Sequence, residues 1–322
     1  MMKQIDSSQY LDVLAATRQS WHNRYYAMYS SILDGVVVDP LLMQVPVDDH
    51  LVHRGDGVFD TFKCVRRGAY NLDPHLNRLV RSAGEIGLIW PGGVEDIRIK
   101  AIQTLAIANR DDCLCRVILA RGPGGLGVSP YESPHPSLYI VVYMAGTPFM
   151  QAHPEGARVN KSCVPVKSGN FATYKHCNYL PNVMMKREAV DAGVDFVVSY
   201  DVNGFLAEGA TENVGVVTAA RELLFPKLDY VLDGTTMLRV ITLAAGLVRD
   251  GTLRRVAYEN ITEAMVCSAA ELLIIGTTLN VASSCTYNGI SVGVACPGPV
   301  GKRLDKMLAD DIAENEDMRT RF

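Results

Sequence analysis

The stretch Thr173-Tyr174-Lys175-His176-Cys177-Asn178-Tyr179-Leu180-Pro181-Asn182, with the later Glu208-Gly209-Ala210-Thr211-Glu212-Asn213-Val214, carries the strongest signal in this chain. Its lysine sits between aromatic and small residues, just ahead of a helix predicted from about Pro181 to Ala192. Loss of water at such a place lowers a lysine's basicity. A lysine judged by position alone is most often a solvated surface group, so the meaning of Lys175 depends on its company.

Working outward, strands are predicted near Arg158 to Val164, at Phe196 to Tyr200, at Val214 to Thr218 and at Glu271 to Ile275, with helices at Thr236 to Arg249 and around Ile261 to Ala264. Upstream, Val58-Phe59-Asp60-Thr61-Phe62-Lys63 alternates with period two, as a strand does, after the polar turn His53-Arg54-Gly55-Asp56-Gly57. The segment from Asp73 to Ala83 reads as a helix with Asp73 as N-cap and Pro74 at its first position. A helix from Val94 to Ala108 leads to strands at Cys115 to Ala120 and Leu138 to Met144. The pattern is α+β in two domains. Residues 1–34 read as an N-terminal helical arm, 35–147 as a smaller α/β domain, 148–157 as a Pro- and Gly-bearing linker and 158–322 as a larger domain.

Bulk properties narrow the function. The chain has 322 residues, 48% hydrophobic and 20% charged, with a net charge of −4. That balance offers no basic footprint for nucleic acid or an anionic membrane surface. Apolar runs such as Leu138 to Ala145 are far shorter than the roughly 20 residues that span a bilayer, and the N-terminus has no secretory pattern. The expectation is a cytoplasmic protein with a small-molecule partner. Eight cysteines form no CxxC unit and suit reduced thiols. The seven histidines lack HxxxH or HxH spacing, so no metal site is expected. Gly122-Pro123-Gly124-Gly125-Leu126-Gly127 matches GxGxxG, but Pro130 and Pro134 follow where a dinucleotide fold needs a helix N-terminus; a connecting or active-site loop is the better reading. Cys177 beside His176 does not make a nucleophile pair, because sequence neighbours rarely face each other.

Taken in order, HRGDGVFDTF (53–62), DPHLNRLVRSA (73–83), KHCNYLPN (175–182), EGATENV (208–214), LDGTTMLR (232–239) and ELLIIGTT (271–278) resemble the class IV, fold-type IV pyridoxal-phosphate enzymes over about residues 25–305. That group holds branched-chain and D-amino-acid aminotransferases and 4-amino-4-deoxychorismate lyase. The resemblance implies pyridoxal 5'-phosphate in the cleft between a small and a large domain, and a homodimer with sites near the interface.

It also implies roles. Lys175 matches the lysine that attaches to the cofactor and then moves protons, and Glu208 the carboxylate at the pyridine nitrogen, with Glu212 a less apt substitute. Arg78 matches the helix arginine used for the phosphate, which a guanidinium can bind through two N–H groups; Arg81, one turn on, reads as solvated. Thr235 and Thr236 at a helix start, and Thr277 and Thr278 after Gly276, match two phosphate turns. Tyr179 falls where some relatives place an aromatic near the cofactor's phenolic oxygen, with core packing an equal reading, and Asn213 is placed to orient Glu208 or the ring.

The reaction divides. D-amino-acid transaminases of the family carry a tyrosine where Phe59 stands and an Arg-x-His pair that Arg121-Gly122-Pro123 lacks. The glycine-rich loop resembles that of the lyases, with Leu126 in place of a polar or basic residue. The expected function is transfer of an amino group between an amino acid and a 2-oxo acid; the alternatives are the lyase, releasing pyruvate and 4-aminobenzoate, and a non-catalytic binding protein on the same fold.

Overall fold

The computed structural model describes residues 2–167 and 169–322, and the architecture over them is two sheets with helices laid against each. In the smaller sheet the strands run in the order Arg319–Arg321, Gly68–Tyr70, Gly57–Val65, Cys113–Ala120, Ser137–Tyr143, Tyr25–Ser30 and Gly35–Val37, and every neighbouring pair is antiparallel. The period-two pattern explains the central strand. Val58, Phe62 and Cys64 are fully buried beneath helices Leu72–Glu85 and Gly93–Ala108, packing with Leu76, Leu79, Ile97 and Leu105. Phe59, Thr61 and Lys63 point to the other face. Truncating a ring such as Phe62 to alanine would cost about 3–5 kcal/mol.

The larger sheet runs Arg255–Glu259, Glu222–Pro226, Asn213–Val217, Glu271–Gly276, Asn280–Tyr287, Ala157–Lys161, Phe196–Tyr200 and Leu206–Gly209, with Ile290–Ser291 pairing off the path. Its middle pairs are antiparallel, while Glu222–Pro226 with Arg255–Glu259, and Ala157–Lys161 with both its neighbours, are parallel. Helices Thr235–Arg249 and Pro299–Glu314 cover one face through Met237, Val240, Leu247, Leu304 and Leu308. Glu271 fixes the second of these helices by accepting the Val300 and Gly301 N–H groups at 2.8 and 2.7 Å, a carboxylate cap on otherwise orphan donors.

Several expectations are corrected. The N-terminal segment is not an arm throughout: after helix Ser7–Ala15, the aromatic run Tyr25–Ser30 is an inner strand of the small sheet. The linker contains a short helix, Phe149–Ala152, and its last residue opens strand Ala157–Lys161. The small sheet is completed by the end of the chain, where Arg319–Arg321 pairs with Gly68–Tyr70. At Gly68 an added Cβ would stand 2.7 Å from Arg319 Nε, so any larger residue there would require the Arg319 side chain to move. Asp73 is not the cap of its helix; Asn71, at φ 56°, precedes Leu72, and Asp73 lies in the first turn. Strands Leu206–Gly209, Glu222–Pro226, Arg255–Glu259 and Asn280–Tyr287 and helix Pro299–Glu314 were not predicted. No helix among the described residues is long and apolar enough to cross a membrane.

Candidate active site

Between the sheets lies a cavity of about 310 Å³ whose lining includes Lys175, Tyr179, Arg78, Thr236, Thr277 and Asn213, within the range usual for small-molecule sites. A small recess joins it to Glu208. The structure therefore brings together residues far apart in sequence: Thr235 and Thr278 line the main cavity, and Glu208 shares the recess with Lys175 and Tyr179.

The loop carrying Lys175 is bonded through its backbone to the start of strand Gly57–Val65 of the small sheet. The Lys175 carbonyl accepts Phe59 N–H at 3.0 Å, the Lys175 N–H donates to Ser82 Oγ at 3.1 Å, and Cys177 N–H bonds Gly57 O at 2.8 Å. Lys175 Nζ donates to Tyr179 Oη at 3.0 Å and stands 4.9 Å from the centre of the Phe59 ring. Burial pulls the ammonium down to about 8, with Arg78 acting the same way and Asp60 and Glu208 opposing. Burial likewise pushes the Tyr179 phenol up to about 12.

Glu208 is buried on strand Leu206–Gly209. One carboxylate oxygen accepts the Leu232 N–H at 3.2 Å. Burial raises its proton affinity, although Lys167, that N–H and Lys175 act the other way. Asn213 does not reach Glu208: its amide donates to Leu232 O at 2.8 Å. It thus shapes the same loop that touches Glu208. The loop ends at Gly234, where an added Cβ would collide with Asn213 Oδ1.

Helix Thr235–Arg249 starts at that glycine with no side-chain cap. Its first N–H groups, which have no intrahelical partner, lie at the cavity wall formed by Thr235 and Thr236. Thr236 Oγ1 and Thr277 Oγ1 are 3.1 Å apart, so the two predicted turns meet. Thr235 behaves differently. Its hydroxyl lies 3.2 Å from His75 Nε2, while His75 Nδ1 lies 2.7 Å from Asp60 Oδ1. A carboxylate only accepts, so Nδ1 carries the proton and Nε2 accepts from Thr235. Burial keeps His75 below its ordinary basicity despite Asp60.

Arg78 lines the cavity, but the two-pronged edge expected to hold phosphate is turned to Asp60, with Nε at 2.8 Å and Nη2 at 2.9 Å. Nη1 donates to Asp233 O at 3.1 Å. Arg81 is not merely solvated, since its Nη2 reaches both Asp233 carboxylate oxygens at 2.6 Å. Asp60 is fully buried. Burial alone would raise it, and Arg78, then His75, overrule that and hold it well below the usual carboxylate range.

Asp60, His75 and Arg116 were missed by sequence reading. Asp60 had a signal, because it falls in the buried phase of Val58, Phe62 and Cys64, where a carboxylate needs a partner. Arg116 pairs across strands with Thr61, donates Nε to Thr61 Oγ1 at 3.1 Å and covers the Phe59 ring at 5.1 Å. It is exposed at the cavity rim. Among the described residues it has no carboxylate within ion-pair distance.

The residues present fit a phosphorylated pyridine cofactor. An uncapped helix start with converging hydroxyls suits its anion, and a buried carboxylate with a backbone N–H as its polar contact suits a ring N–H. The glycine-rich loop, by contrast, runs into a short 3₁₀ turn at Pro130–Glu132 and forms no helix that could receive a dinucleotide.

The family model for amino-transferase class IV matches residues 57–284. The D-amino-acid transaminase, chloroplastic, of Arabidopsis thaliana is 37% identical over 90% of this chain and 77% of its own length. A putative branched-chain-amino-acid aminotransferase of Methanocaldococcus jannaschii is 28% identical over 86% of this chain and 94% of its own. Among solved structures, a branched-chain aminotransferase of Thermoproteus uzoniensis with norvaline superposes with a TM-score of 0.82 at 21% identity, covering 92% of this chain and 99% of that one. A hypothetical aminotransferase from Mycobacterium tuberculosis in its PLP-bound form gives 0.75 at 22%, covering 90% and 99%. With the family model spanning well over half its length, the chain belongs to the class IV aminotransferases.

Proposed function

We propose that the protein is a pyridoxal 5'-phosphate-dependent aminotransferase that exchanges an amino group between an amino acid, a D-amino acid foremost, and a 2-oxo acid. The observation that carries it is Lys175: an amine brought down to about 8 in a cavity lined also by the Thr236–Thr277 cradle, with Glu208 in its recess. The preference for a D-donor rests on the 37% identity to the plant D-amino-acid transaminase.

Thr236, Thr277, Thr278 and the first N–H groups of helix Thr235–Arg249 would hold the phosphate, Glu208 the ring nitrogen, and Lys175 the carbonyl carbon. Bound there, the cofactor supplies an electron sink for the pair left when an amino acid's α-proton departs. The chain does the rest. Lys175 Nζ, poised near neutral pH, takes and returns that proton. Tyr179 Oη fixes the direction of Nζ, and the Phe59 ring excludes water from one side. Glu208, whose proton affinity burial raises against the pull of Lys167, the Leu232 N–H and Lys175, would pair with the facing ring nitrogen and share its proton. Arg116, the rim cation with no carboxylate partner among the described residues, binds the substrate carboxylate. The family relationship supports a homodimer, which sedimentation would test.

The deciding experiment offers purified protein pyruvate or 2-oxoglutarate with a panel of D- and L-amino acids. Keto-acid product from D-donors is expected. No product from any donor, with pyruvate and 4-aminobenzoate released from aminodeoxychorismate, overturns the transaminase reading in favour of the lyase. Arg116→Gln should raise KM for the donor with kcat and melting temperature little changed.

A further inference from the structure

Lys63 carries a half-buried amine that the chemistry above does not use. It follows Phe59 and Thr61 on the cavity face of strand Gly57–Val65. Its Nζ donates to Asn280 Oδ1 at 2.5 Å and so crosses from the small sheet to the large one. Asn280 is itself buried; it pairs with Gly276 and closes the hairpin turn that carries Thr277 and Thr278. It does so at φ 65°, a left-handed conformation that asparagine tolerates better than most side chains.

The charged group facing Lys63 from the third element, helix Pro299–Glu314, is Asp305. Asp305 Oδ1 accepts from Val281 N–H at 3.4 Å, one residue beyond the turn. Burial brings Lys63 down to about 8 against the pull of Asp305, and burial raises Asp305 in turn. A lysine ordinarily extends its ammonium into water. Here it is drawn into the seam between sheets, at a cost that Asn280 and Asp305 offset.

We propose that Lys63 is a positioning residue for the phosphate cradle: by holding Asn280 from the opposite sheet, it sets the Thr277–Thr278 turn against Thr236. The inference rests on the reading of that cradle as the phosphate site. It makes the grip on the anion depend on how the two sheets meet, because the hydroxyls stand on the large domain while the pin comes from the small one.

The test compares affinities for pyridoxal 5'-phosphate and for pyridoxal, which lacks the phosphate, by fluorescence titration of protein from which cofactor has been removed and readmitted. Four proteins are needed: wild type, Thr277→Val, Lys63→Met and Lys63→Arg. Lys63→Met should lower the phosphate-to-pyridoxal affinity ratio about fivefold, the effect of losing roughly one hydrogen bond. Its affinity for pyridoxal should be unchanged, and Lys63→Arg should recover part of the ratio. Should Lys63→Met fail to fold, Lys63→Gln, which keeps a donor without the charge, is read by the same ratio. A wild-type ratio in the Lys63 variants with a lowered one in Thr277→Val would overturn the inference and leave the phosphate site standing. A wild-type ratio in Thr277→Val as well would remove the phosphate site, and the inference with it.

Discussion

The two ends of the cavity treat charge in opposite ways. At the threonine end the one arginine is paired: Asp60 faces Arg78 through two hydrogen bonds, His75 adds a third to the same carboxylate, and the remaining donors are neutral hydroxyls and N–H groups. At the lysine end, Lys175 and Glu208 are enclosed without an ion pair between them among the described residues, and burial moves them toward neutrality from both sides, the amine down and the acid up. The first arrangement is complete within the protein and can bind an anion without reorganising. The second keeps two groups whose charge is sensitive to whatever arrives between them, which is where proton transfer needs flexible protonation. Binding and reactivity are separated along one cavity by whether each charge has its partner built in.

Removing the reactive end should have the largest effect. Lys175→Ala should lower turnover by at least on the order of 10²–10⁴-fold and abolish any visible absorbance band that depends on cofactor attached to the lysine, while the Thr236–Thr277 end still binds the phosphate. Spectra and donor turnover check both. In wild type, uptake of cofactor requires the neutral amine; with Lys175 at about 8, the uptake rate should rise with pH and level off above that value. A rate still climbing at pH 10 would mean the amine is not depressed.

Breaking the completed pairing comes next. Asp60→Asn leaves the Arg78 guanidinium buried against a neutral amide and removes the acceptor of His75, so the fold should lose about 3–5 kcal/mol, the cost of orphaning a buried charge. Urea unfolding measures it. A loss below about 1 kcal/mol, the value of an exposed pair, would show that the network is not shielded from water and would dissolve the contrast between the ends.

Much of this arrangement is legible in the chain, but unevenly. The alternation of Val58, Phe62 and Cys64 identifies the buried face, and Asp60 in the same phase announces a buried acid. Its partners do not show, because His75 and Arg78 meet it only when helix Leu72–Glu85 is laid on the strand, although their i, i+3 spacing puts them on one helical face. The threonine turns are readable from glycine followed by hydroxyls, yet nothing local says that Thr235 turns to His75 while Thr236 turns to Thr277. The C-terminal strand is opaque for a different reason: Arg319-Thr320-Arg321 has no apolar alternation, and its place is set by backbone pairing with the distant Gly68–Tyr70.

Glu208→Gln sharpens the comparison through pH. Burial raises the proton affinity of Glu208 in the folded state. The sign follows from linkage: such a group favours folding below the ordinary glutamate range and loses that contribution as pH rises through its raised folded value. In cofactor-free protein, wild type therefore loses stability relative to the glutamine variant as pH rises past the ordinary glutamate range. Glu208→Gln should melt higher than wild type at pH 7.5, with the gap closing toward pH 4, while its turnover falls because the ring nitrogen loses its acid partner. A variant that melts lower at every pH would mean that the carboxylate is satisfied without a cofactor and that the two ends do not differ as argued.

The smallest effect is expected at the completed end. Thr236 and Thr277 come from different elements, a helix start and a hairpin turn, and their hydroxyls lie 3.1 Å apart. If both face one anion, Thr236→Val and Thr277→Val should each weaken phosphate binding by about 1 kcal/mol, close to fivefold, as the loss of one hydrogen bond does. The double variant should lose less than the sum, because each single change already disturbs the other hydroxyl. Additive losses would mean that each hydroxyl contacts the anion without support from the other. No loss in either would mean that their contact only ties the helix start to the turn, leaving the backbone N–H groups to hold the anion.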